Sequence, residues 1–302
     1  MRSTAPRWQI TLAFALVYLV WGSTYLAIRY AIATLPPFLM AGLRFLIAGG
    51  ILYLWALLRG APRPTRAEWR SAAIIGALML LCGNGAVVWS EQRVASGLTA
   101  LIVALVPAWT VAIEWALPGG KAPGPLTITG LFAGMAGMAL LVEPGSPPGG
   151  ADLGAMGVLA LGSLGWVIGS IYLHRGAPRP VSAPMATGIQ MLCGGAALVL
   201  LFAVAPGQGS VVPAAITGRS LLALGYLIVF GSLITYSAYV WLLQVSTPAR
   251  VATYAYVNPV VALGLGWAVA GERLSLRSAG ASALIVAAVA IITWSQSRRP
   301  TH

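Results

Sequence analysis

Gly22-Ser23-Thr24-Tyr25-Leu26 returns 147 residues later as Gly169-Ser170-Ile171-Tyr172-Leu173, and Pro37 meets Pro184 at the same offset. A second series of matches keeps an offset of 152 without a gap: Trp89, Gln92, Ala100, Pro107, Trp115 and Ala116 recur as Trp241, Gln244, Ala252, Pro259, Trp267 and Ala268. Glycine and alanine are abundant in this chain, so two tryptophans and a proline in one register carry more weight. The matches predict two related halves, a first repeat over residues 1–145 and a second over residues 146–302.

The composition is that of a protein surrounded by lipid. Of the 302 residues, 59% are hydrophobic and 8% are charged, whereas a soluble protein carries about 25% charged residues on a surface that faces water. The net charge is +12, but the basic residues stand singly or in small groups between apolar runs. This distribution is typical of topology signals on cytoplasmic loops and not of nucleic-acid binding. We therefore expect membrane lipid, and no nucleic acid, as a partner.

Apolar runs predict an all-α membrane protein with ten transmembrane helices, because about 20 apolar residues cross the hydrocarbon core of a bilayer. The first five predicted spans are Gln9–Ile28, Phe38–Leu58, Ser71–Ser90, Leu98–Leu117 and Leu126–Val142. The second five are Gly154–Leu173, Pro184–Val204, Leu221–Leu243, Val251–Ala270 and Ala279–Ser295. The first span is too long for the apolar part of a cleaved signal peptide, so we expect it to be retained.

Basic residues predict the orientation of these spans. Placing both termini in the cytoplasm puts twelve Lys and Arg residues inside and five outside, with Arg44 within the membrane. This bias follows the positive-inside rule and is weaker in the second half, where Arg273 and Arg277 would lie outside. We expect a multi-pass protein of the bacterial inner membrane with cytoplasmic N- and C-termini.

The number of helices in each half predicts an inverted-topology repeat. A unit with five crossings enters the membrane upside down in its second copy, which gives a 5+5 arrangement. Two similar halves of opposite orientation can exchange conformations, and this exchange moves an opening from one side of the membrane to the other. Anchors and membrane enzymes have no comparable need for such an arrangement, so the repeat favours transport.

Two prolines mark equivalent places in the repeat. Pro107 and Pro259 fall within the fourth and ninth predicted spans. Proline removes a backbone donor and clashes with the preceding turn, so each helix is expected to kink or loosen there. A static kink, tolerated by neighbouring helices, is the alternative. The equivalence of the two prolines favours a pair of hinges.

Polar residues at membrane depth indicate a substrate pathway, because they are costly there and usually face a cavity or a partner. Arg44 lies inside the second span, Glu91 follows the third, and Asn84 lies two turns before Glu91. We expect Arg44 and Glu91 to be close, either as an ion pair or within one polar outer vestibule. A purely structural pair that fixes helix packing is the alternative. If protons drive transport, Glu91 is the first candidate for the coupling group.

Aromatic and hydroxyl side chains predict the lining of a central pocket. Mid-span Trp166, Tyr254 and Asn258 are the candidates for this lining, and Trp21, Ser23 and Tyr25 in the first span are further candidates for the substrate pathway. For aromatic residues near the ends of spans, an interfacial belt is the simpler explanation. Aromatic walls with few polar anchors suit amphipathic or aromatic solutes and not a bare ion. Spans five and ten carry few polar side chains and many small ones, including Gly130 and Gly134, which suits helix packing away from the pathway.

Several motifs resemble the EamA-type carriers of the drug/metabolite transporter superfamily. They are Trp21-Gly22-Ser23-Thr24-Tyr25, Met40-Ala41-Gly42-Leu43-Arg44-Phe45, Gly83-Asn84-Gly85 and Tyr254-Ala255-Tyr256-Val257-Asn258-Pro259. Their order and spacing cover nearly the whole chain and are most similar to those of the YedA-like exporters. The resemblance implies ten helices in a 5+5 inverted repeat, with helices one to four and six to nine around a central cavity. It also implies export of amino acids, related metabolites or toxic compounds.

The sequence thus predicts a secondary transporter, an exporter that works by alternating access on a small-molecule substrate. An uncoupled facilitator or a channel of the same fold is the alternative, although the sequence lacks carbonyl-filter motifs and repeated charged rings. An intramembrane enzyme is less favoured, because no predicted span holds a histidine and no Ser–His pair can be assembled. We expect no catalytic residue, cofactor or metal site, and a monomer or a homodimer.

Overall fold

The computed structural model describes residues 6–93, 99, 102–120, 122–141, 152–205, 212–270 and 275–297. All regular secondary structure in these ranges is helical. The first half contains α1 (Arg7–Ile32), α2 (Pro37–Leu58), α3 (Arg66–Ser90), α4 (Val106–Ala116) and α5 (Pro125–Leu141). The second half contains α6 (Leu153–His174), α7 (Ala183–Val204), α8 (Gly218–Val245), α9 (Tyr254–Ala270) and α10 (Leu276–Ser297). Short helices at Pro213–Ala215 and Pro248–Val251 precede α8 and α9.

The all-helical prediction is confirmed, and several helices are long and apolar enough to cross a membrane. Within the described residues seven meet both criteria, with mean hydropathies of 1.7 to 2.0: α1, α2, α3, α6, α7, α8 and α10. The helix α5 is apolar but shorter. The helices α4 and α9 are also short, because a turn at residues 104–105 precedes α4 and another at residues 252–253 precedes α9. Residues 98, 100 and 101 of the predicted fourth span lie outside the described part, so the count of ten spans stays a prediction.

Local sequence determines where helices begin and end. Thr65 Oγ1 accepts a hydrogen bond from the backbone N–H of Glu68, and Glu68 Oε2 accepts one from the Thr65 N–H at 2.7 Å. This complete capping box begins α3. Asp152 and Ser182 cap the first turns of α6 and α7 in a similar way. Gly176, just after α6, has a φ of +96°, a conformation that residues with a Cβ rarely adopt.

Wide helical turns interrupt α3 and α8 at matching places. In both helices a π-helical segment replaces the α-helix, over Gly76–Asn84 in α3 and Leu227–Tyr236 in α8. The repeat offset of 152 maps residues 76–84 onto residues 228–236, so the two segments coincide. Short π-helical insertions are frequent at functional sites. None of the sequence patterns described above indicates them.

Glycines bring α2 and α7 together as an antiparallel pair. A Cβ on Gly42 would lie 3.0 Å from the carbonyl oxygen of Gly195, and one on Gly49 would lie 2.8 Å from that of Gly188. Without side chains at these positions the two backbones approach closely, as in many membrane helix pairs. Because the repeat matches α2 to α7, this contact joins equivalent helices of the two halves.

The other large helix contacts also come in counterpart pairs. The helix α3 packs against α6 and α7, and its counterpart α8 packs against α1 and α2. Likewise α4 contacts α6, and α9 contacts α1. The helices α5 and α10 pack on each other, with Gly130 against Ile292 and Gly137 against Ile285. The two halves are therefore interleaved, and do not form two separate bundles.

The two predicted hinge prolines differ in their surroundings. Pro259 lies inside α9, as predicted. Pro107 does not lie in the middle of a helix, because it occupies the first turn of α4, just after the turn at residues 104–105. Proline is tolerated in a first turn, where the missing N–H would have no intrahelical acceptor. The expected kink at Pro107 is thus replaced by a break in front of it, and the hinge function of both prolines stays a prediction.

Candidate substrate cavity

Hydrogen bonds between helix termini define two ends of the bundle. At the first, which we call the Glu91 end, α3 ends beside the start of α6, and Ser90 Oγ donates to the carbonyl oxygen of Ala155 at 3.1 Å. At the second, the His174 end, α6 and α8 end together, and His174 Nδ1 lies 2.6 Å from the carbonyl oxygen of Leu243. These two ends lie at opposite ends of α6.

A cavity lies between the two halves, in the part of the bundle nearer the Glu91 end. The cavity volume is about 90 Å³, whereas one water molecule needs about 10–15 Å³. Seven of the nine predicted pathway residues line it: Trp21, Tyr25, Arg44, Asn84, Trp166, Tyr254 and Asn258. Ser23 and Glu91 do not. No described residue of α5 or α10 lines the cavity, in agreement with the expectation that these helices lie away from the pathway.

Arg44 projects from α2 into this cavity and is 3% exposed. Its Nε donates a 2.7 Å hydrogen bond to Ser232 Oγ in the π-helical segment of α8. Its guanidinium carbon lies 4.8 Å from the centre of the Phe45 ring. No carboxylate of a described residue forms an ion pair with Arg44, so the ion pair expected with Glu91 is not formed here. The guanidinium instead contacts α8, a helix of the other half.

Glu91 lies directly after α3, at the rim of the bundle. Its side chain as a whole is half-buried, whereas its Oε2 is enclosed and has no hydrogen-bond partner among the described residues. Burial raises the pKa of the Glu91 carboxyl to about 8, and the positive charge of Arg29 on α1 partly opposes this shift. The carboxyl also acts electrostatically on Tyr25, a cavity residue. Glu91 is therefore a residue of the rim, outside the cavity lining, and not part of an ion pair with Arg44.

Three aromatic side chains from three helices form one wall of the cavity. The ring centre of Trp21 lies 5.7 Å from that of Trp166 and 5.1 Å from that of Tyr254, both in edge-to-face geometry. Such pairs are favoured because the positive edge of one ring meets the negative face of the other. Trp21 Nε1 donates to the carbonyl oxygen of Gly231 at 3.1 Å, which fixes the indole against α8. We call Trp21, Trp166 and Tyr254 the aromatic wall.

Tyr239 packs beneath the aromatic wall, on the side toward the His174 end. Its ring centre lies 5.1 Å from Trp21, 5.4 Å from Trp166 and 5.7 Å from Tyr254. Its hydroxyl oxygen accepts a 2.9 Å hydrogen bond from Trp166 Nε1 and lies 2.8 Å from Ser170 Oγ. This packing closes the cavity between α6 and α8.

The remaining predicted polar residues have different surroundings. Asn84 Oδ1 is enclosed and has no hydrogen-bond partner among the described residues. With its amide oriented to donate, the Asn258 nitrogen lies 3.1 Å from the carbonyl oxygen of Tyr254. Ser23 Oγ lies 2.6 Å from the hydroxyl oxygen of Tyr226 and joins α1 to α8. Ser23 is therefore a contact between helices and not part of the cavity lining.

Three residues of α8 belong to this site and are missing from the predicted set: Ser232, Tyr236 and Tyr239. The repeat could have indicated two of them. Tyr236 occupies the position equivalent to Asn84 at the offset of 152, and Tyr239 occupies the position equivalent to Val87, and both Asn84 and Val87 line the cavity. The repeat gives no such indication for Ser232, because its contact with Arg44 depends on how far the Arg44 side chain extends from α2.

Comparisons with known proteins agree with this architecture. The model of the EamA-like transporter family matches twice, over residues 8–143 and 153–294. The inner membrane transporter YedA of Escherichia coli strain K12 is 41% identical over 281 residues, which make up 93% of this chain and 89% of YedA. A chloroplastic WAT1-related protein of Arabidopsis thaliana is 26% identical over 89% of this chain and 66% of its own length. A chain of known crystal structure, 22% identical, has the same fold, with a TM-score of 0.78 over 97% of this chain and 99% of that one.

The family matches and the helices correspond closely. The first match covers α1 to α5 and the second covers α6 to α10. The identity to an inner membrane transporter extends through both sets of helices. Together with helices of membrane length, these matches identify a membrane protein whose relatives are transporters. The chain belongs to the EamA-like transporter family.

Proposed function

We propose that this protein is a secondary transporter of the bacterial inner membrane that exports amino acids or related amphipathic or toxic compounds by alternating access. The observation that carries the proposal is the cavity between the interleaved halves. Aromatic rings and a few polar groups line it, and Tyr239 closes it toward the His174 end. Pockets of this kind suit small amphipathic solutes. The transporter relatives support the same conclusion.

The proposed architecture is ten membrane spans in a 5+5 inverted repeat, divided near residue 145, with both termini in the cytoplasm. In this arrangement α4 and α9 are broken spans, which membranes tolerate where irregular backbone lines a cavity. The contacts of α3 and α8 support the arrangement. The helix α3 packs against α6 and α7 of the second half, and α8 packs against α1 and α2, the equivalent helices of the first half. The Glu91 end then faces outward and the His174 end faces the cytoplasm.

Alternating access would exchange the closed and open ends of the cavity. The offset of 152 matches Leu243, at the closed contact beside His174, to Glu91 at the opposite end. We therefore infer that one conformational change moves both ends. When α6 separates from α8 at the His174 end, α1 closes on α3 at the Glu91 end. Pro107, just after the break at residues 104–105, and Pro259, inside α9, serve as hinges, and the enclosed carboxyl of Glu91 is the proton-coupling group.

Efflux from proteoliposomes tests the proposal. Liposomes loaded with labelled aromatic and hydrophobic amino acids should lose them faster with the protein than without it. Trp166→Ala should abolish this difference, because it removes part of the aromatic wall. Trp55→Ala, on an exposed position of α2, is the matched control and should retain efflux. Equal loss from liposomes with and without the protein, across the whole set of solutes, would contradict transport.

Proton coupling has its own test in the same liposomes. A pH gradient should accelerate efflux by the unaltered protein and have no effect on Glu91→Gln, whose side chain cannot release a proton. Unchanged gradient dependence in Glu91→Gln would exclude Glu91 as the coupling group and leave the transport proposal intact.

A further inference from the structure

We propose that the transported solute carries a carboxylate, which binds end-on to the guanidinium of Arg44 while its apolar or aromatic body rests on the aromatic wall. This inference rests on the proposed function and names the substrate class of the same cavity. Its basis is the geometry and burial of Arg44, together with the absence of an opposite charge beside it among the described residues.

The guanidinium of Arg44 is held so that one edge remains free. Its Nε is used by Ser232 Oγ at 2.7 Å, and no hydrogen bond joins either terminal nitrogen to a described residue. The two terminal nitrogens present parallel N–H groups, the arrangement that binds a carboxylate in bidentate fashion. A Cβ on Gly231 would lie 2.8 Å from Nη2, so the glycine makes room for the guanidinium. The local structure of α8 therefore orients the binding edge of Arg44.

The cavity carries a positive charge that the described residues do not neutralise. Arg44 is the one charged side chain among the described lining residues. Glu68 and Asp152 form hydrogen bonds in helix caps, Glu91 lies at the rim and interacts electrostatically with Arg29, and Glu114 on α4 does not line the cavity. A buried charge without an opposite charge is costly, and coulombic attraction is strong in a medium of low dielectric constant. An entering carboxylate supplies the missing charge, whereas an entering cation is repelled.

The rest of the cavity suits the body of such a solute. The aromatic wall offers ring faces and edges for an apolar group. Asn84 Oδ1 is an enclosed acceptor without a partner among the described residues, so it can bind one N–H or O–H of the solute. A small organic acid with an apolar or aromatic body satisfies Arg44 and the wall, and one that also carries an N–H or O–H group can bind Asn84 as well. A bare inorganic anion leaves the wall without a partner.

Matched probes separate charge from shape. We would measure binding of 3-phenylpropanoate and 3-phenylpropanamide, and of hexanoate and hexanamide, to the purified protein by titration calorimetry. The two compounds of each pair share the same apolar group, and only one of them carries a carboxylate. We expect each carboxylate to bind at least about tenfold more tightly than its amide, since a charge-assisted bidentate contact is lost in the amide.

Variants then assign this preference to Arg44. Arg44→Gln should bind carboxylate and amide equally, and Arg44→Lys should keep part of the preference because it keeps the charge but not the planar fork. Arg59→Gln, at the exposed end of the same helix, should keep the full preference.

Two results would overturn the proposal: no preference for carboxylates over amides in the unaltered protein, or a full preference in Arg44→Gln. The comparison of carboxylates with amides on the unaltered protein tests the proposal even if a variant fails to fold. Export of neutral solutes without binding of any carboxylate would refute this inference and keep the transporter. Carboxylate binding without efflux of any solute would refute transport and keep the anion site.

Discussion

Trp166 and Tyr239 are joined by a 2.9 Å hydrogen bond from the indole Nε1 to the phenolic oxygen. The same oxygen lies 2.8 Å from Ser170 Oγ, one turn further along α6. Tyr239 is 2% exposed, so bulk water does not compete for these contacts. A single hydroxyl of α8 therefore holds two positions of α6, at the end of the cavity that has to open under alternating access.

Removal of this hydroxyl should weaken the contact between α6 and α8. In Tyr239→Phe the ring remains, but the Trp166 N–H loses its acceptor in a buried site, which costs about 1–3 kcal/mol. We expect a lower midpoint of thermal unfolding in detergent. Tyr53→Phe is the control, because the Tyr53 ring packs on Trp69 and its hydroxyl bonds to no described residue. Equal midpoints for Tyr239→Phe and the unaltered protein would show that the hydroxyl does not stabilise the closed end.

Neighbouring glycines of α2 should respond differently to the same substitution. A Cβ on Gly49 would come within 2.8 Å of Gly188 O and of Met191 Cβ, whereas one on Gly50 would meet nothing within 4 Å. Gly49→Ala should destabilise the fold by about 1–3 kcal/mol through overpacking. Gly50→Ala should gain up to about 0.5–1 kcal/mol from helix propensity. Thermal unfolding and gel filtration of the two variants would measure the difference, and identical behaviour would argue against close packing of α2 on α7.

Stability should depend on pH through Glu91. Its pKa is raised from 4.5 to about 8 by burial in the folded protein, so between these values the folded state holds a proton that the unfolded state has released. The stability that the protonated Glu91 gives to the folded state is fully present below about pH 4.5 and is lost as the pH rises to about 8. Glu91→Gln should remove this part of the pH dependence. The measurement is thermal unfolding of both proteins from pH 5 to pH 9, and parallel curves would contradict the assignment.

Cysteine labelling tests the orientation in the membrane. With Cys82 and Cys193 replaced by alanine, Pro148→Cys should react with an impermeant maleimide on intact cells. Pro64→Cys, in the segment between α2 and α3, should react only after permeabilisation. Position 148 lies outside the described residues, so its exposure is expected from the charge bias alone. The opposite labelling pattern would reverse the proposed orientation without changing the fold.

Helix positions were the most predictable part of this structure. Each predicted apolar run coincides at least in part with a described helix, because a backbone in lipid has to satisfy its hydrogen bonds within the helix. The ends are less predictable. The helix α3 begins at Arg66, five residues before the predicted Ser71, because Thr65 and Glu68 start it in a polar segment that apolar counting ignores. Likewise α1 continues to Ile32, beyond the predicted Ile28.

The side-chain partners were less predictable, because spacing along a helix gives depth but not the direction of each face. Arg44 and Glu91 were expected to meet because their depths are similar. In the structure Arg44 donates a hydrogen bond to Ser232 on α8, and Glu91 lies outside the cavity lining. Ser23 was predicted as a pathway residue because it belongs to a cluster of aromatic and hydroxyl side chains, and it contacts Tyr226 instead. The three rings of the aromatic wall belong to the predicted pathway set and lie together in the structure, since large rings in the middle of several spans have few other places to pack.

The matched π-helical segments of α3 and α8 bear on how the chain arose. A π-helical turn closes an i→i+5 hydrogen bond and so contains one residue more than an α-helical turn. Two independent insertions would have to fall at corresponding places to give the observed match. One insertion in an ancestor, followed by gene duplication and fusion, gives the same result more simply. Under the proposed 5+5 inverted repeat, that ancestor was a five-helix peptide that paired with an inverted copy of itself. On this account the glycine contact between α2 and α7 is older than the covalent link, and it began as the interface of a dimer.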